Sequence, residues 1–469
     1  MADVVIDLGE LALGGASSRP GLVRPPLRER FDRRFWPVGV VALALLLSVV
    51  GSAGEPRTLR IPLWSAPVRA HALVLTADAL YLADLPRNQV RRFDAATGRP
   101  RWELATDSPV ANLADLGHGV LGVMLNPLAP ASGRPTSRDP RLVLVAEDTG
   151  RVIATVVGHL WRVNQDGSVI VIRNRADCMD VCVDLVRVEP TTGRVGASLT
   201  PTSVDLPSAL PGEGDAIAVV GPTGAEIRSG PDLAVVGRVA LPDPGGHDRQ
   251  AALLHDRLVT AERREGAVLV NAAPLTRAAT SWSVSLPEPA AVSAPILYFD
   301  SCADLLCVHT GDSTALIDPA TGTVHRRLPF DVIVAPGQAD PVAGPIRGGP
   351  APPVLLAVVT PHVGSTQNSN DVVVLDTGGA VTATLAAAVP IDWVDGGGLT
   401  LLRQGVPRPG AQPGSAGDRS RFLTVDRGGR SQVLGAVDGT DLSCIARAAL
   451  LACAAGDGVR VWHLPTAPR

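Results

Sequence analysis

One short tag recurs along this chain. It reads DAATG ending at Gly98, DTG at Gly150, EPTTG at Gly193, DPATG at Gly322 and DTG at Gly378, with a weaker copy ending at Gly428. Self-similarity at a fixed period constrains a fold more than any local propensity does. The intervals are 52, 43, 129, 56 and 50 residues, and 129 is three times 43. Two degenerate copies are therefore expected near 236 and 279, at Gly237 in LAVVGRVAL and Ala279 in LTRAATSWSV. Asp and Thr side chains bond the backbone of tight turns, and Gly supplies the positive φ they need. The tag reads as a hairpin turn rather than a ligand site.

The runs on either side of each tag, such as ALYLAD, QVRRFDA and SVIVIRN, are short, rich in Val, Leu and Ile, and bounded by Gly, Pro, Asp or Asn. That is strand chemistry. Three or four strands per period of about 45 residues make one blade of a β-propeller. Units end near 106, 158, 203, 246, 287, 329, 387 and 437, and the last three strands, DLSCIA, ALLACAA and GVRVWHL, lack an outer partner. The segment 57–64 could supply it, pairing the two ends of the chain and removing an exposed edge. The expectation is an all-β protein: a propeller of about eight four-stranded blades, with seven to nine allowed, preceded by one transmembrane helix.

The pattern strand–Asp-x-x-Thr-Gly-x-x-x-Trp resembles the PQQ-like repeat of quinoprotein-type β-propellers. Gly98-Arg-Pro-Arg-Trp102 fits it fully, and Trp282 holds nearly the same place in a degenerate copy. Elsewhere Val or Leu is read in place of the Trp. The resemblance covers roughly 57–464. It implies a propeller, and it implies that ligands bind on the face carrying the blade-to-blade connections. Quinoprotein dehydrogenases hold their quinone between a Trp and a disulfide of adjacent cysteines, beside a calcium ion and a catalytic Asp. No two cysteines are adjacent in this chain, and the other parts match no positions. No cofactor is expected.

Residues 35–54 contain no charge and centre on VGVVALALLLSVV, long enough to cross a bilayer. Arg19, Arg24, Arg28, Arg30, Arg33 and Arg34 precede them against Glu29 and Asp32, which places the N-terminus in the cytoplasm. The expected organisation is a cytoplasmic tail over 1–34, a signal anchor over 35–54 and an extracytoplasmic propeller over 55–469. Gly51-Ser-Ala53 resembles a signal-peptidase site, the competing reading. In the tail, Val4, Ile6, Leu8 and Leu11 form an apolar patch that could dock a cytoplasmic partner. Six cysteines fall in three local pairs, Cys178 with Cys182, Cys302 with Cys307 and Cys444 with Cys453. Each pair brackets a hairpin, and an even count in an exported chain favours disulfides.

All 42 basic residues are Arg, so no lysine is present for a P-loop, a Schiff base or a Ser-Lys pair. No G-x-S-x-G, H-E-x-x-H or G-x-G-x-x-G occurs, and the nine histidines are scattered. Beyond the span, 36 Arg face 41 acids, which gives no electrostatic case for nucleic acid. Insertions at 126–140, 361–370 and 405–420 are rich in Pro, Gly and Ser. Each is read as joining a blade's second and third strands, on the face of the blade-to-blade connections. They bring Arg134, Arg138, Arg141, Arg408, Arg419 and Arg421. A further insertion at 335–353 belongs to the opposite face. Long loops of this kind commonly carry function. The expected work is non-enzymatic: a scaffold at the cell membrane holding a protein or envelope ligand. Alternatives are an enzyme with its site at the propeller mouth, quinoprotein-like or hydrolytic, and a sensor signalling through the tail.

Overall fold

The computed structural model describes residues 59, 61–126, 140–175, 183–201, 208–209, 215–221, 224–241, 249–254, 256–264, 266–276, 279–287, 297–302, 305–310, 313–328, 332–333, 355–359, 371–375, 380–385, 388–394, 399–406, 419–426, 431–438, 442–447, 449–456 and 458–464. Glu55–Arg469 forms one compact unit. No helix among the described residues is long and apolar enough to cross a membrane. The run 35–54 and the tail positions Val4, Ile6, Leu8 and Leu11 lie outside those residues.

The unit is a β-propeller, with nine sheets among the described residues. The first shows the plan: Ala70–Leu75, Ala79–Asp84, Gln89–Asp94 and Pro100–Ala105 form an antiparallel meander from inner to outer strand. The second strand of that sheet is buried along its whole length, whereas the outer one alternates between exposed and half-buried. The cause is position. Inner strands are covered on both faces by neighbouring sheets, and outer strands diverge toward water. Apolar clusters fill the gaps between sheets. Tyr81 joins Leu121 and Val123 between the first and second, and Leu80 and Leu82 meet Ala452 and Val461 between the first and ninth. With aromatics at only 3%, these layers are built largely of Val, Leu and Ala. Each fully buried Val or Leu contributes about 1.5–3 kcal/mol.

Nine sheets is the upper limit of the expected range, one more than the eight expected. The surplus unit is real: Ser443–Arg447, Leu450–Ala455 and Gly458–His463 form a sheet completed by Trp64–Ala66 from the other end of the chain. Trp64 pairs with Val461 and Ala66 with Val459, so the closing strand begins where the expected segment 57–64 ends. That ninth sheet packs against both the eighth and the first. Outer strands end at Ala105, Val157, Leu199, Ala240, Pro287, Leu328, Leu385 and Asp438, each within a few residues of the boundary read from the tags.

The fourth sheet departs from the plan. Its strands Ile217–Val220, Gly224–Arg228 and Val235–Ala240 form a three-stranded sheet among the described residues, and the preceding Ser208–Ala209 pairs in parallel with Gln250–Leu254 of the fifth sheet. The turn before its outer strand spans 229–234, with Leu233 in the left-handed region at φ 58°. Gly237, expected at the turn, lies inside the outer strand instead. The fifth sheet turns between Pro274 and Trp282, which includes Ala279 as expected.

Candidate functional site

A meander has two faces. Tags join third to outer strands, so they share one face with the first-to-second hairpins. Blade-to-blade connections and second-to-third loops lie on the other.

On the tag face the recurrent residues are structural. The Asp94 carboxylate accepts hydrogen bonds from the Thr97 N–H at 3.0 Å and the Thr97 hydroxyl at 2.8 Å, and the Gly98 N–H donates to the Asp94 carbonyl at 2.8 Å. Asp318 likewise accepts from the Ala320 N–H at 2.7 Å, and Gly322 donates back to the Asp318 carbonyl. The glycines have a second reason to be glycine. A Cβ on Gly98 would meet the Trp64 ring, one on Gly150 the Trp102 ring at 2.7 Å, and one on Gly322 the Trp282 ring at 2.6 Å. Each indole N–H donates to a carbonyl at the same turn: Trp64 to Ala95 and Trp102 to Glu147, both at 2.8 Å, and Trp282 to Pro319 at 3.0 Å. The Trp of one outer strand thus locks onto the tag of the following sheet. At Gly193 the facing residue is Ala154, neither the Val nor the Leu expected there.

Other groups on this face are also tied between sheets. Arg257, buried, is held by Asp256 and donates to the carbonyls of Pro319 and Ala320 at 2.6 and 2.8 Å. Arg447 reaches from the ninth sheet to Asp115 of the second at 3.2 Å. Burial, then the charge of nearby Asp115, pushes the Glu147 carboxyl above its ordinary range.

The connection face carries the candidate site. The insertion after the second strand of sheet two opens at Asn126, whose N–H donates to the Pro109 carbonyl at 3.0 Å. It returns at Pro140, whose carbonyl accepts from the Gly158 N–H at 2.7 Å. Pro109 and Gly158 belong to the two connections flanking that sheet, so the loop's mouth is pinned to this face. Arg141 begins the third strand there, Arg141–Ala146. It is not a loop residue: its guanidinium grips Asp107 in a bidentate pair at 2.9 and 2.5 Å and also reaches the Ser108 hydroxyl at 2.7 Å. That pairing lowers the Asp107 carboxyl and raises Arg141. Asp107 precedes Ser-Pro in an ordinary turn sequence, and no signal in the chain announces its partner.

The other insertions follow the same topology. Residues 360–370 separate Leu355–Val359 from Asp371–Leu375, and 407–418 separate Leu399–Val406 from Arg419–Asp426; both pairs are second and third strands. Arg419 and Arg421 belong to the last of these strands and pair with Val406 and Gln404 across the sheet. They sit at the foot of the loop rather than its tip. Arg134, Arg138 and Arg408 lie outside the described residues. The insertion at 335–353 joins Val332–Ile333 to Leu355–Val359, first to second strand, and so belongs to the tag face.

Cys444 and Cys453 are register partners joined by a disulfide, with Cα atoms 4.1 Å apart. Cys307 is disulfide-bonded. It lies on Leu305–His309, which pairs with the strand Tyr298–Cys302, where Cys302 opposes Leu305. Cys178 and Cys182 lie outside the described residues. Among the described residues the parts that hold a quinone do not come together. The Cys444–Cys453 bridge spans two strands at a sequence separation of 9, so it offers no adjacent-cysteine ring for a quinone to stack on. Trp64, Trp102 and Trp282 are committed to the tags, Trp462 is buried in the core, and Trp161 packs between the third and fourth sheets. Among the described residues no group of three or more His, Cys, Asp or Glu converges as a metal site.

No known protein family matches the chain, and no curated protein matches it. Solved structures do resemble it. BamB from Moraxella catarrhalis aligns over 86% of this chain and 99% of its own at 12% identity and a TM-score of 0.41. The C-terminal WD40 domain of Sif2 aligns over 87% and 98% at 8% identity and 0.46, and a europium-containing methanol dehydrogenase over 84% of each at 12% and 0.38. These are propellers of differing function.

Proposed function

We propose that this protein is a non-enzymatic binding platform of the cell envelope, related to the PQQ-like repeat proteins. It is held at the membrane by residues 35–54, with its propeller outside, and uses the connection face to hold a protein or envelope ligand. One observation carries the reading: three Pro, Gly and Ser-rich insertions, at 126–140, 361–370 and 405–420, arise on one face, and the mouth of the first is pinned there by Asn126–Pro109 and Gly158–Pro140 hydrogen bonds. The Asp, Thr and Gly of the tags and the Trp residues that face them, by contrast, are used up in holding turns and sheets together. Loops on a rigid frame are where recognition concentrates. The Arg141–Asp107 pair stiffens the foot of one loop and leaves the loop itself for a ligand.

The test is proximity labelling in cells from the full chain, followed by affinity capture with two shortened variants. Replacing 128–138 and 409–416 by short Gly-Ser linkers should abolish capture of the labelled partner. Shortening 337–351 on the opposite face should leave it intact. Equal capture by both variants would sink the assignment of the face. A quinone absorbance on adding PQQ and calcium to the full chain would replace the scaffold reading with a dehydrogenase.

A further inference from the structure

The tag face repeats a second pattern. The outer strand leaves its turn with Arg and Val exposed in succession: Arg151 and Val152 after Gly150, Arg194 and Val195 after Gly193. In the sixth sheet Val324 is exposed, followed by exposed His325 and Arg326. Single exposed valines are ordinary, but here Val152 is 42% exposed, Val195 50% and Val324 37%, all at the same height of their sheets. Among the described residues no carboxylate pairs with Arg151, Arg194 or Arg326. The carboxylates of Asp94 and Asp318 accept hydrogen bonds within their own turns and Asp78 pairs with Arg92, so among the described residues of this rim the exposed Arg99, Arg151, Arg194 and Arg326 stand against exposed Asp148 and Asp232.

The chain comes into the propeller on the same face. Trp64 starts the closing strand against the first tag, and just before it Ile61 is 84% exposed and Leu63 43%. Ile61 follows Gly54, the last residue of the uncharged run, by seven positions. At roughly 3.3 Å per residue such a tether spans at most about 23 Å. Arg with exposed apolar side chains is the composition of surfaces that lie in a headgroup layer, where cations meet phosphate and apolar groups enter the interface.

We propose that the tag-face rim rests on an anionic bilayer, with Arg151, Arg194 and Arg326 on lipid phosphates and Val152, Val195, Val324 and Ile61 in the interface. The inference rests on reading 35–54 as a membrane anchor. It is tested by hydrogen exchange on the full chain in nanodiscs of phosphatidylcholine alone or mixed with phosphatidylglycerol. Amides over 149–157, 191–199 and 321–328 should exchange several-fold more slowly with phosphatidylglycerol present, while 106–112 on the connection face is unchanged. The triple variant R151E/R194E/R326E should lose that difference at an unaltered melting temperature, since each arginine near an anionic surface is worth about fivefold in binding. Should charge reversal impair folding, R151Q/R194Q/R326Q gives the same readout. Equal exchange in both lipids, or protection on the connection face, overturns the proposal alone. A chain that does not co-elute with the discs overturns the anchor reading, and this proposal with it.

Discussion

At the scale of single residues, the tag performs two tasks at once. Its Asp and Thr close a turn, and its Gly leaves room for an indole from the sheet before. Trp102→Ala should therefore cost about 3 kcal/mol in urea unfolding, the usual scale for truncating a packed Trp. Trp102→Phe, which keeps the stacking but loses the hydrogen bond to the Glu147 carbonyl, should cost about 1 kcal/mol. Equal losses would mean the ring's packing contributes nothing. Asp94 offers a pH test. The Arg101 guanidinium, then the Thr97 hydroxyl and N–H, hold its carboxyl down to about 2. A depressed carboxyl binds its proton less well folded than unfolded, so its contribution is present above the ordinary carboxylate range and is lost as pH falls toward 2. Asp94→Asn should melt below wild type at pH 6 and together with it near pH 2. A constant gap across that range would rule out the charge as the cause. The turn chemistry is legible in the sequence because Asp, Thr and Gly at fixed offsets have few other uses. The Trp–Gly lock is legible only as a spacing, since the Trp and the turn it bonds lie 31 to 45 residues apart and meet only when sheets stack.

At the scale of elements, the closing strand matters most. Trp64–Ala66 has three residues and pairs only with Gly458–His463 among the described strands, yet it completes the ninth sheet. Trp64 also stacks on Phe93 with ring centres 5.8 Å apart. Trp64→Ala should destabilise the domain more than Trp102→Ala and should speed exchange of the Val459 and Val461 amides. A smaller loss than for Trp102 would show that ring closure does not depend on this strand. In the same sheet, the double variant Cys444→Ser, Cys453→Ser should lower stability by about 2 kcal/mol, the range for a short closed loop. Reducing agent should then leave the variant's melting unchanged at this site. The period locates most outer strands but misplaces two details. It puts Gly237 at a turn because glycine is the usual turn residue, whereas Leu233 takes the left-handed position within the actual turn. It also leaves the count at about eight, because the last unit has only three local strands, although the segment 57–64 is read as able to complete it and Trp64–Ala66 does so.

At the scale of the whole molecule, the two proposals divide between faces. The connection face carries three of the four insertions and the proposed ligand. The tag face carries the locks between sheets, the chain's way in and the Arg–Val rim. The loop-shortening and nanodisc experiments test those two assignments independently. Arg141 shows why the site is less legible than the fold. By composition it is one more arginine beside a loop; in three dimensions it is spent on Asp107 and Ser108, 34 and 33 residues away. The repeat alone determined that the chain is all-β, that it is built of propeller blades, and where most blades end, because turn chemistry and strand patterning act within a few residues. Tertiary structure alone decided that there are nine sheets rather than eight, that the closing strand is Trp64–Ala66 at the end of the segment 57–64, and which arginines are already paired, because each of those depends on sheets stacking beside residues distant in the chain.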